Sequence, residues 1–158
     1  MKPIGSTLSI TINAALSVLE DRVEWGWIVR DSEGQLIFAA CKSQSGTFSP
    51  HEAEALGVRE VLSWLRGKQL DDVIIESDSQ VTINHLRQSS CISPLGSIID
   101  DCKNLASHFA NVCFKFVKRS ANKAAHAMAQ AALSMSDCME WHLCPPDFFM
   151  DVLRYDIS

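Results

Sequence analysis

No stretch of this sequence stays apolar for long enough to cross a membrane. Runs such as Ile10–Leu16 are interrupted by Thr11 and Asn13. Met1-Lys2-Pro3 is followed by no apolar segment of the kind a secretory signal carries, so no export is expected. A disulfide framework is missing too. Cys41, Cys91, Cys102, Cys113, Cys138 and Cys144 are scattered without framework spacing. In a chain with no export signal they read as buried or free thiols in a reducing intracellular compartment, nuclear or cytoplasmic. Cys138, His142 and Cys144 form a C-x3-H-x-C cluster, but a tetrahedral zinc site needs a fourth ligand and none is apparent. Positive charge is in short supply, with 14 Lys and Arg against 19 Asp and Glu, a net charge of −5. Affinity for nucleic acid normally comes from neutralising phosphates, so this balance argues mildly against a dedicated binder. There is no internal repeat and no low-complexity tract.

What is present fits one globular domain. The chain has 158 residues, enough to bury a core, and its 47% hydrophobic and 21% charged residues exclude a disordered chain. Positive charge gathers in one place, where Lys115, Lys118, Arg119 and Lys123 fall within nine residues. Such a cluster is either a solvated helix-and-loop surface or a local basic face.

Ser6–Leu16 alternates apolar and polar residues, the period of a half-buried strand. Val23–Arg30 continues the pattern with Trp25 and Trp27 on one side, Asp31-Ser32-Glu33-Gly34 is a tight turn, and Gln35–Lys42 is a third strand. Three strands on short turns predict an antiparallel meander. A helix is then announced by Ser49 at N-cap, Pro50 at N1 and Glu52 at N3, a capping box with a pre-set first turn, and it runs to about Leu65 before Gly67. Glu52 has a capping role; Glu54 has none, and lies on a face lined by the small residues Ala53 and Gly57. Val73–Glu76 is a fourth strand that should pair parallel with the meander through a right-handed crossover. Ser79–Gln88 reads as a short helix, Pro94–Phe109 as a longer amphipathic one, Val112–Val117 as a fifth strand and the alanine-rich Ser120–Leu133 as a last helix. From Asp137 onward, Trp141, Pro145-Pro146 and Phe148-Phe149 suggest an irregular extension docked on the body.

The stretch Val73–Gln80 organises the rest. β-branched residues lead into Asp78, which puts a carboxylate at the carboxyl end of a buried strand, where open α/β sheets place their chemistry. The alternative is an ordinary strand-to-helix turn with Asp78 or Ser79 as N-cap.

The order βββ-α-β-α-α-β-α, with acidic residues at fixed places, resembles the ribonuclease H fold, and most of all the reverse-transcriptase-associated ribonuclease H domains of type 1 found in plant genomes. The likeness is carried by Ile12-Asn13-Ala14-Ala15, Gly26–Gly34, Ala53-Glu54-Ala55-Leu56, Glu76–Gln80, Val117–Asn122 and Ala125-His126-Ala127-Met128-Ala129, with Trp141 and Pro145-Pro146 like that family's tail. It implies an α/β fold with a mixed five-stranded sheet, strands 1–3 antiparallel, flanked by helices. It also implies a domain over residues 1–136 with a C-terminal extension, 137–158, packed on it, a retrotransposon-derived origin, and a possible place within a longer reverse-transcriptase-like polypeptide.

The resemblance implies a site of carboxylates from strand 1, the first helix, strand 4 and the last helix, holding two Mg²⁺ roughly 3.5–4 Å apart for phosphodiester cleavage. Glu54 and Asp78 stand at the helix and strand-4 positions; Asn13 stands at the strand-1 Asp position and His126 at the last-helix Asp position. With two of the four carboxylates replaced, formal site charge falls from −4 to −2. Asn13 can offer a neutral oxygen, and the His126 nitrogen suits Mn²⁺ or Zn²⁺ better than Mg²⁺. The missing strand-1 Asp is the graver change, since that carboxylate would bridge the two metals. Ser79 and Gln80, with Lys118, Arg119, Asn122 and Lys123, match the positions beside the hybrid, for backbone and 2′-OH contacts that read shape rather than sequence. The expectation is a ribonuclease H-type nucleic-acid-binding domain with a partly degraded metal site and weak or lost cleavage of RNA–DNA hybrids. One alternative is an active Mg²⁺- or Mn²⁺-dependent hybrid endoribonuclease using Glu54, Asp78, Asn13 and His126. The other is a protein-interaction domain that does not touch nucleic acid.

Overall fold

The computed structural model describes residues 7–17, 19–66, 72–88, 94–123 and 139–142. Three strands, β1 (Thr7–Ser17), β2 (Arg22–Arg30) and β3 (Leu36–Ser45), form the expected antiparallel meander. Helix α1 (Pro50–Leu65) crosses back, and β4 (Asp72–Ser77) pairs parallel with β1. Helices α2 (Gln80–Arg87) and α3 (Pro94–Ala106) precede β5 (Asn111–Phe116), which pairs parallel with β4. A short 3₁₀ turn, Arg119–Asn122, follows β5. The sheet order is β5-β4-β1-β2-β3, extended past β3 by a sixth short strand, β6 (Met139–His142). The mixed five-stranded core is therefore as expected, whereas part of the tail expected to be irregular is a strand: residues 139–142 run antiparallel to Phe38–Cys41. Their sequence, Met-Glu-Trp-His, does alternate, but over too few residues to register as a period. Helix α3 ends at Ala106 rather than Phe109. Beyond residue 123, the expected last helix lies outside the described residues.

The turn and cap chemistry explains why the elements start and stop here. Asp31 Oδ1 accepts hydrogen bonds from the backbone N–H groups of Glu33 (3.0 Å) and Gln35 (2.9 Å), closing the β2–β3 connection, and Gly34 supplies the positive φ of 83° that it needs. Helix α1 carries the full capping box: the Ser49 hydroxyl accepts from Glu52 N–H at 3.2 Å, and the Glu52 carboxylate accepts from Ser49 N–H at 3.1 Å.

The core lies between the sheet and helices α1 and α3. Ile10, Ile12, Trp25 and Ile75 from the strands meet Val58, Leu62 and Ile99 from the helices, all fully buried. The other sheet face is buried as well, through Thr11, Asn13, Glu24, Ile28, Ala39 and Cys41. Helix α1 sits unusually close to β1 and β2. The indole N–H of Trp25 donates to the carbonyl of Ala53 at 2.8 Å, and a Cβ placed on Gly57 would lie 2.8 Å from Trp25 Cδ1 and 3.3 Å from Ile12 Cγ2. Small residues on this face of α1 set the height of the helix above the sheet, and with it the position of Glu54.

Gly57→Ala tests this contact. Helix propensity alone would favour alanine by about 1 kcal/mol. The buried Trp25 ring is held by its hydrogen bond, so an overpacking cost of about 1–3 kcal/mol should outweigh that gain, and we expect a net loss of up to about 2 kcal/mol in chemical denaturation. An alanine variant as stable as the parent would show that the close approach is not a constraint.

Candidate functional site

β1 and β4 pair in parallel as far as Ile12 and Ser77, where β4 ends. One residue further along each strand stand Asn13 and Asp78, side by side at the carboxyl end of β4. Because β4 stops, the N–H of Ala14 has no strand to bond on that side. Glu54, reaching down from α1, takes its place: Oε1 accepts from Ala14 N–H at 3.1 Å and Oε2 accepts from the Ser77 hydroxyl at 3.0 Å. Ser77 is itself fixed, its Oγ accepting from Ser79 N–H at 3.0 Å and its carbonyl from Val117 N–H at 2.9 Å. One carboxylate thus ties α1 to the ends of β1 and β4.

The tie is electrostatically costly. Glu54 is buried, and burial, followed by the neighbouring charge of Asp78, pushes its carboxyl up to about 7. The hydrogen bonds from Ala14 and Ser77 and the more distant Arg119 guanidinium pull the other way without reversing it.

Asp78 is differently placed. Its side chain is 10% exposed, Oδ2 is buried and accepts no hydrogen bond among the described residues, and Arg119 Nε faces that oxygen at 3.6 Å. The N-cap of α2 is Ser79, whose hydroxyl accepts from Thr82 N–H at 3.3 Å, so Asp78 is released from capping. Asn13, Glu54, Asp78, Ser79, His51 and Arg119 line a single cleft of about 340 Å³.

A family model described as reverse transcriptase-like matches residues 12–132. The chain belongs to the reverse transcriptase-like family. No curated protein sequence matches this family member. Solved structures do resemble it. RNase H1 from Halobacterium salinarum NRC-1 superposes with a TM-score of 0.74 at 19% identity, over 82% of this chain and 99% of that one. The N-terminal RNase H domain of Rv2228c from Mycobacterium tuberculosis gives a TM-score of 0.71 at 16% identity, over 82% of this chain and 95% of that one. LC11-RNase H1, solved in complex with an RNA/DNA hybrid, gives 0.71 at 16% identity, over 80% of this chain and 96% of that one. At these identities the likeness establishes the RNase H fold.

Of the residues singled out in the sequence, the reverse transcriptase-like fold brings Asn13, Glu54, Asp78, Ser79 and Arg119 to one cleft. Gln80, Lys118 and Lys123 are exposed beside it rather than in its lining. His126 and the side chain of Asn122 lie outside the described residues. Two lining or bracing residues escape sequence reading. Ser77 occupies the buried parity of β4, after Val73 and Ile75, where a serine signals a hydrogen-bond partner across the fold. His51 precedes Glu54 by one helical turn and so shares its face.

A pair of Mg²⁺ ions requires several charged oxygens free to coordinate. The described residues offer a neutral carboxamide, a carboxylate whose oxygens both accept from protein donors, and a carboxylate facing a guanidinium. No group of three or more His, Cys, Asp or Glu side chains able to hold a metal forms among the described residues. This donor set does not fit a two-metal centre.

The raised Glu54 carboxyl fixes the sign of a pH effect. A folded-state value of about 7 against an ordinary 4.5 means that the native state binds the extra proton between those values. Stability from this group is therefore full below about 4.5 and declines as pH rises through 7. Glu54→Gln should remove that slope and be the more stable form at pH 8 by on the order of 2–3 kcal/mol. Urea denaturation of both proteins at pH 5 and pH 8 measures it; parallel pH profiles would contradict the assignment.

Proposed function

We propose that this domain binds RNA–DNA hybrids at the mouth formed by β1, β4 and the 3₁₀ turn, and that its cleavage of the RNA strand is weak or lost. The observation that carries the reading is the bracing of Glu54. In the two-metal chemistry implied by the family, the helix carboxylate would coordinate metal; here both its oxygens join the ends of two strands. With Asn13 at the bridging position, Asp78 is the described carboxylate of this cleft that keeps a buried oxygen without a hydrogen bond among the described residues.

Nucleic-acid contact is supported by the fold shared with LC11-RNase H1, which was solved with an RNA/DNA hybrid, and by the exposed cations beside the cleft. Lys118 and Lys123 flank the turn that carries Arg119, and these side chains would contact backbone phosphates. Gln80, exposed at the start of α2, and Asn122 would contact sugar 2′-OH groups, while Ser79 positions that helix. With a net charge of −5, affinity should be weak and should fall steeply with salt.

The test is cleavage of a labelled hybrid in Mg²⁺ and in Mn²⁺. We expect little or no product from the native sequence. Restoring the bridging carboxylate with Asn13→Asp should raise the rate by at least about tenfold, since one metal-bridging charge is worth several kcal/mol. Brisk native cleavage that Asp78→Asn abolishes would overturn the reading in favour of an active hybrid endoribonuclease.

A further inference from the structure

The sheet order leaves β5 at one edge, with β4 on its inner side and no strand among the described residues on its outer side. The N–H of Val117, just past the strand, donates to the Ser77 carbonyl of β4 at 2.9 Å, which sets the parity. Residues 113 and 115 therefore turn their backbone groups toward β4, while Val112, Phe114 and Phe116 turn theirs outward. An outward row of N–H and C=O groups is a template for another strand. One side chain interrupts it. Arg87, the last residue of α2, donates to the Phe114 carbonyl through Nε at 3.0 Å and Nη2 at 2.6 Å. Phe114 is the middle of the three outward residues, so this charged fork closes the edge at its centre. Helix α2 does not depend on that contact alone for its position. Lys103 Nζ, on α3, donates to the Gln88 carbonyl at the C-cap of α2, and Ile83 and Leu86 are buried in the core.

The sequence of β5 indicates what the edge would accept. Laid antiparallel against itself about Phe114, the strand sets Val112 opposite Phe116 of a second copy, Phe114 opposite its own counterpart, and Cys113 opposite Lys115. The outward-facing residues then form the hydrogen-bonded pairs, and all of those pairs are apolar. No lysine stands opposite a lysine, the pairing that would repel. A two-fold contact needs a patch that complements itself, and in this register β5 does. Its central pair requires the Phe114 carbonyl that Arg87 occupies. We propose that the outer edge of β5 is a strand-pairing surface for a second copy of this chain, and that Arg87 keeps it closed. None of these residues lines the cleft, so the inference stands apart from the hybrid-binding reading.

Sedimentation equilibrium on the full chain, native and Arg87→Met, tests this, with amide hydrogen exchange by NMR to locate any contact. Methionine keeps an unbranched stem and loses the fork. The native protein should be a monomer, with the amides of Val112, Phe114 and Phe116 exchanging readily at every concentration. Arg87→Met should lower the dimer dissociation constant at least about tenfold, since a charge-assisted contact no longer competes for the carbonyl. Those three amides should then become protected as concentration rises. A native dimer, a monomeric Arg87→Met, or a variant dimer whose β5 amides stay unprotected would each overturn the inference. So would an Arg87→Met protein that fails to fold, for the arginine would then serve folding and guard nothing.

Discussion

The position of Glu54 is the constraint on which the rest depends. A buried carboxylate survives only where donors reach it, and here they come from two strands: the backbone N–H of Ala14 where β1 outruns β4, and the hydroxyl of Ser77 at the last residue of β4. Both contacts need α1 to lie close to the sheet, which Ala53 and Gly57 permit and Trp25 fixes by donating to the Ala53 carbonyl. The sequence of small residues, the close packing and the placement of a charge at the sheet's mouth are therefore one feature seen at three levels.

That feature bears on chemistry. Of two carboxylates brought to the same cleft, one is consumed in holding strand ends together and is driven toward neutrality by burial and by its neighbour; the other faces a guanidinium. Asn13 adds a dipole and no charge. Among the described residues, the cleft therefore gathers less free negative charge than a pair of dications needs.

Much of this was legible in the residues, because much of it is local. The capping box at Ser49 and Glu52, the turn at Asp31–Gly34 and the alternation of β1 are interactions within a few residues, and each forms where the sequence places it. Glu54 could be picked out because it had no capping role, and Asp78 because it follows a buried strand at its carboxyl end. The ambiguity over which residue caps α2 needed the structure: Thr82 N–H reaches Ser79 and leaves Asp78 free. Less was legible where partners are far apart in the chain. Ser77 meets Glu54 across 23 residues, and its buried parity in β4 signals that it has a partner without saying which one. Arg119 was expected with Lys118 and Lys123 beside the hybrid, but its approach to Asp78 needed the turn after β5. β6 was missed because four residues are too short a run to show a period, and its edge pairing with β3 is a tertiary choice.

The most direct measurement is a carboxyl ¹³C NMR titration of Glu54, made with and without millimolar Mg²⁺. If the carboxylate is a buried brace between β1 and β4, it titrates near 7, and the midpoint stays where it is when Mg²⁺ is added. A midpoint in the ordinary carboxylate range, or one that Mg²⁺ drives sharply downward, would mean that Glu54 is free to bind metal and that the site is built for hydrolysis after all.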